Sequence, residues 1–134
     1  MIHWEKEYST GVEEIDAQHI WIFEFSNTLE EELTNEAQKS DVGQILELLG
    51  SYCKRHFSYE EGCMHKLQCP IAGKNKSAHT QFLLTYDNFM KRYSKDGHSE
   101  ALAWEIHDTV EQWISNHICQ IDTHLRACSK KGLE

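Results

Sequence analysis

Six residues, His19, His56, Glu60, His79, His117 and Asp122, occupy positions where helical periodicity calls for apolar side chains. Burying one polar group without a partner costs on the order of a few kcal/mol, so six converging on one core require cations to satisfy them. Imidazole nitrogens and carboxylate oxygens together suit first-row metals, and a carboxylate has two oxygens to share between two ions. The set therefore predicts a metal centre, and a two-metal one. His56 and Glu60 are four apart and leave the same face of a helix. His117 and Asp122 are five apart, which on an ideal helix places them about 140° from each other. His124, seven after His117, is the choice of regular geometry. A π-type widening of this helix would bring Asp122 round instead, and such bulges favour functional sites.

Four helices are needed to present these residues. The chain has one proline, Pro70, and no alternating apolar pattern, which predicts an all-α fold. An irregular N-terminal arm, about residues 1–11, carries Trp4 and Tyr8 and ends at Gly11. Helix A is expected from about Val12 to Glu36, with Ile15, His19, Ile22, Phe23, Leu29 and Leu33 inward. Helix B starts at the N-cap Asp41 and runs to about Lys66 on a stripe of Ile45, Leu48, Leu49, Tyr52, His56, Glu60, Cys63 and Met64. Pro70 and Gly73 mark the turn into helix C, about Lys74 to Ser94, with Asn75, His79, Phe82, Tyr86, Phe89 and Tyr93 on one face. Asp96-Gly97 is a turn. Ser99 caps helix D, where Leu102, Ile106, Val110, Trp113, His117 and Ile121 face inward. Short links between amphipathic helices give an up-down-up-down four-helix bundle, and a bundle core is where metal sites of this kind are built.

The 134 residues make one domain, 1–134. Its start has no apolar leader and no stretch approaches the roughly 18 residues of a membrane span, so a cytoplasmic protein is expected. The net charge of −9 and the acidic run Glu30, Glu31, Glu32 and Glu36 argue against nucleic acid or an anionic membrane as partner. The run reads as a solvated helix face. The five cysteines, Cys53, Cys63, Cys69, Cys119 and Cys128, form no C-x-x-C pair and read as buried, reduced thiols. Cys63 shares nearly the face of His56, where a sulfur ligand or redox thiol is the alternative. His3, His65, His98 and His107 read as exposed or cap-like, and His124 as surface or supporting. Asp16 reads as a first-turn acid of helix A. Trp113 and Phe82 read as core, with walls of a dry pocket as the other reading. The ending Lys130-Lys131-Gly132-Leu133-Glu134 reads as the cut edge of a module from a longer protein, with Leu133-Glu134 a cloning scar.

Across its whole length the chain resembles the hemerythrin family of non-haem di-iron oxygen-binding proteins, most of all the bacterial members. The resemblance rests on Trp4, Tyr8, Gly11, Ile15, Asp16 and His19, then HFSYEE at 56–61, HTQFL at 79–83 and WISNHICQID at 113–122. It implies two iron ions joined by an oxo or hydroxo bridge, with Glu60 and Asp122 as bridging carboxylates. His19 and His56 would hold one iron, His79 and His117 the other. The H-x-x-x-x-D spacing that helical periodicity does not explain is the family's own. One position departs. Four residues before His79 the family has a further histidine, and this chain has Asn75, which the fixed spacing from Pro70 and Glu60 confirms as the corresponding position. An amide oxygen is a poor iron ligand, so Asn75 is expected to bind a water and leave an open coordination position.

Dioxygen, or nitric oxide, is the ligand the resemblance implies, and a sensory module regulating a fused signalling output domain is the favoured reading, not an enzyme. A stand-alone oxygen carrier or storage protein is the alternative. A di-iron oxidase or peroxidase of ferritin-like type is disfavoured, because those bundles use Glu-x-x-His pairs and no histidine here has a glutamate three residues before it. Zinc is the competing metal for such ligands.

Overall fold

The computed structural model describes residues 2–35 and 41–132, with side chains through Cys128. The expected Glu36 and the ending Leu133-Glu134 lie outside the described residues. Helix α1 spans Glu13–Thr34, α2 Val42–Lys66, α3 Ala72–Asp96 and α4 Glu100–Trp113. A π turn, Ile114–Ile118, continues α4, then a 3-10 turn, Asp122–His124, leads into α5, Leu125–Gly132. The chain is all-helical over the described residues, and α1 to α4 form the expected four-helix bundle. Boundaries fall within two residues of those expected, an ordinary margin for helix ends.

Local chemistry sets the ends. Asp41 accepts from the Gly43 amide at 2.7 Å while Gln44 reaches back to the Asp41 amide at 3.3 Å, a capping box that starts α2. The Ser99 hydroxyl accepts from the Leu102 amide at 3.1 Å and starts α4. Gly97 ends α3 at φ 73°, a left-handed conformation that costs glycine little. At Gly50 a side chain would collide with the Tyr86 hydroxyl, which crosses there to donate to the Leu46 carbonyl at 2.8 Å. That close approach draws the Leu46, Gly50 and Cys53 side of α2 against α3. Leu46 is consequently buried, and Leu48, expected inside, is 54% exposed beside Trp21.

The arm carries a single 3-10 turn, Lys6–Tyr8, and is tied down by three side chains. Asn27 exchanges two hydrogen bonds with the Ile2 backbone, and Asp16 accepts from the Ser9 hydroxyl and from the Thr10 amide and hydroxyl. From α5, Arg126 donates to the carbonyls of Ser9 at 2.7 Å and Glu7 at 2.6 Å. Asp16 is thus the first-turn acid expected of it, anchoring the arm. A second correction concerns the thiols: Cys69, in the turn after α2, and Cys128, in α5, form a disulfide with Cα atoms 5.7 Å apart. Their 59-residue separation is bridged only by tertiary structure, which spacing cannot reveal. Cys53, Cys63 and Cys119 are free. With Ile15, Met64 and Leu125, the bridge closes a small apolar cluster at the arm end of the bundle.

Candidate metal centre

The Asp122 problem is solved by the backbone. Within the π turn the Cys119 amide bonds to the Ile114 carbonyl, five residues back, at 3.0 Å. The wider turn brings His117 and Asp122 to one side, with His117 Nε2 3.0 Å from Asp122 Oδ1. His124 is exposed, so the residue favoured by regular geometry is excluded from the cluster.

All six expected residues meet, and each is buried. They fall into two groups that share the carboxylates. On one side His19 Nε2 lies 3.0 Å from Asp122 Oδ2, 3.3 Å from Glu60 Oε2 and 3.1 Å from His56 Nε2, and His56 Nε2 lies 3.3 Å from Glu60 Oε2. On the other side His79 Nε2 is 3.2 Å and His117 Nε2 4.0 Å from Glu60 Oε1. Each carboxylate thus turns one oxygen to each half. Apart from the His19–His56 pair, these contacts lack hydrogen-bond geometry: both oxygens of Glu60 and of Asp122, and His79 Nε2, have no hydrogen-bond partner despite burial. Orphaned buried polar atoms this numerous would be prohibitive unless cations satisfy them. The donor set of imidazoles and shared carboxylates fits a pair of iron ions, and separately the groups His19, His56, Glu60, Asp122 and Glu60, His79, His117 each have the spacing to hold one metal.

Asn75 is buried at the edge of the second group, its Oδ1 2.7 Å from His117 Nε2. Among the described side chains its Oδ1 therefore pairs with an imidazole, and its Nδ2 has no protein partner. Two orienting residues escape a reading of the sequence. Gln18 Oε1 lies 2.6 Å from His56 Nδ1 and Glu61 Oε2 3.0 Å from His79 Nδ1, each positioned to accept the ring proton and aim the other nitrogen inward. Adjacency to His19 and Glu60 was the one signal for them. Aromatic faces cover three of the imidazoles: Tyr52 on His56, Phe57 on His79 at 4.0 Å and Trp113 on His117 at 3.9 Å. Phe82 packs on Trp113, and both belong to the core on the His117 side of the site.

Burial alone would depress His19, but the Asp122 and Glu60 carboxylates outweigh it and raise the imidazole from 6.5 to about 9. Burial likewise opposes charge on Glu60, and the surrounding imidazoles overcome it, holding Glu60 well below the usual carboxylate range. His56 is lowered by burial. In the metal-free protein the His19 proton contributes stability that is full below 6.5 and lost as pH rises through about 9. A metal must displace that proton, so iron affinity should move the other way, tightening by about tenfold per pH unit across this window. Potentiometric titration of proton release on ferrous iron uptake at pH values across it checks the sign; affinity independent of pH would mean that His19 enters unprotonated.

Comparison with known proteins agrees with this geometry. Residues 10–127 match the Hemerythrin HHE cation binding domain. The chain is 28% identical over 128 residues to the Bacteriohemerythrin of Clostridium acetobutylicum, covering 91% of this chain and 96% of that protein. It is 26% identical over 118 residues to that of Stenotrophomonas maltophilia, covering 88% of this chain and 74% of the relative. With the Bacteriohemerythrin of Methylococcus capsulatus it shares 27% over 122 residues. The four-helix frame, the paired imidazole and carboxylate groups and the match over most of the chain place this protein in the hemerythrin family, whose domain binds oxygen at a di-iron centre.

Proposed function

We propose that His19 and His56 hold one iron and His79 and His117 the other, with Glu60 and Asp122 bridging them. On this reading the domain is a cytoplasmic sensory module for dioxygen or nitric oxide that passes its state to a fused output domain. The iron pair supplies reversible electron transfer to a diatomic ligand. The chain's own residues tune it. Gln18 and Glu61 fix the rotation of His56 and His79, and the rings of Tyr52, Phe57 and Trp113 exclude water. Asp122 opens the 3-10 turn that runs directly into α5, so a shift of this carboxylate is transmitted to the last described helix.

The observation that carries the sensory reading is Asn75. Its amide ends 2.7 Å from His117 Nε2, at the position where the resemblance to the family implies a further imidazole. An amide oxygen donates weakly, so an iron held by His117 would have Asn75 as a poor ligand in place of an imidazole and would be oxidised readily, a property suited to signalling more than to carriage. Asn75→His should slow oxidation of the reduced protein in air by about tenfold, the order by which supporting residues act on metal sites. It should also reduce the number of azide ions bound per chain. Equal oxidation rates and equal azide stoichiometry in the two proteins would remove the basis for the sensory reading and favour a carrier.

A further inference from the structure

His107 belongs to a second cluster, away from the paired centre. It sits on the inward side of α4 and is buried, contrary to the exposed or cap-like role its sequence context suggests. His98 does take such a role, accepting from the Val42 amide at 3.0 Å. Around His107 three carboxylates gather. Asp108 Oδ1 lies 3.0 Å from Nδ1, Glu111 Oε2 3.2 Å from Nε2, and Glu30 Oε1 approaches Nε2 from α1 at 3.7 Å. Glu30 is half-buried here, so part of the acidic run expected to be solvated turns inward.

We propose that His107, Glu30 and Glu111 form a separate site for one divalent metal ion of the zinc, cobalt or manganese kind. Ionised carboxylates only accept hydrogen bonds. In the tautomer whose Nδ1 proton is directed at Asp108, the Nε2 lone pair faces two further acceptors, and a cation among them turns repulsion into ligation. Bonds of 2.0–2.2 Å to a tetrahedral metal place neighbouring ligand atoms about 3.4 Å apart. The separations of 3.2 and 3.7 Å straddle that value, and all three ligand atoms lie within 4.8 Å of one another. Asp108 then plays the carboxylate that orients a metal-bound histidine. One nitrogen and two oxygens leave further positions to water, and the partial exposure of Glu30 and Glu111 gives the ion a path to solvent. His107 precedes His117 by ten residues, about 15 Å along a helix, so the two sites are distinct. An ion there ties α1 to α4 and stabilises the bundle by mass action.

The test titrates the iron-loaded full chain with cobalt(II), read by its visible ligand-field bands, and with zinc by calorimetry. One further ion should bind per chain with a rise in melting temperature and no loss of iron. Glu111→Gln and Glu30→Gln, which preserve size, should each weaken it at least tenfold at unchanged iron content, and the His107 Nε2 resonance should shift on adding zinc to wild type. No additional ion at millimolar metal, as expected if the carboxylates merely hold an imidazolium, would overturn the proposal. So would binding equal in wild type and both glutamine variants.

Discussion

Glu60→Ala is expected to reduce iron from about two ions per chain to one or fewer, the largest loss from a single substitution at the paired centre. Glu60 alone places an oxygen near three of the imidazoles within 3.3 Å and near the fourth at 4.0 Å. Without it the two halves share only Asp122, and like-charged ions lose the anion between them. Glu60→Gln keeps the volume but has one oxygen and no charge, and should fail similarly while folding normally. Iron content measured beside circular dichroism separates metal loss from unfolding. Two irons held at unchanged affinity in Glu60→Ala would show the bridging assignment to be wrong. His65→Ala and His98→Ala are companions to this measurement: both residues lie outside the cluster, and neither should change iron content.

Opening the Cys69–Cys128 bridge should be the largest change in stability. Closing a loop across 59 residues restricts the unfolded chain by about 4 kcal/mol in the chain-entropy account. For a domain of this size that corresponds to a melting temperature lower by on the order of 10–20 °C. Calorimetry of Cys69→Ser and Cys128→Ser against wild type, with and without dithiothreitol, reads the effect. Wild type should converge on the variants when reduced. A reductant-insensitive melting temperature would show that the folded protein lacks the bridge. With the bridge reduced, α5 is held by Leu125 packing and by Arg126.

The bundle and five of the six clustered residues were legible because they violate a pattern, while Asp122 entered through the family's H-x-x-x-x-D spacing, periodicity favouring His124. A histidine among Ile15, Ile22 and Phe23, or a glutamate between His56 and Met64, stands out against helical periodicity whatever the rest of the fold does. Even the π turn was implied, since His117 and Asp122 meet only if five residues make one turn. The missed features depend on contacts between elements. Gln18 and Glu61 look like ordinary helix-surface residues until a ring nitrogen faces them. His107 and Glu30 are 77 residues apart, and no local pattern joins them. Leu48 and Leu46 differ by two places on α2, and the choice between them is made by Tyr86 crossing at Gly50. Periodicity identifies a face to within a residue or two; a neighbour's side chain selects within it.

Arg126 has one further consequence. By donating to the Ser9 and Glu7 carbonyls it fastens α5 to the inner part of the N-terminal arm, while Ile2 at the arm's other end is held by Asn27 farther along α1. The arm is thus clamped at two points, to α1 near its beginning and to α5 near its end, so a pull on α5 is passed through hydrogen bonds to a strap that packs along the core.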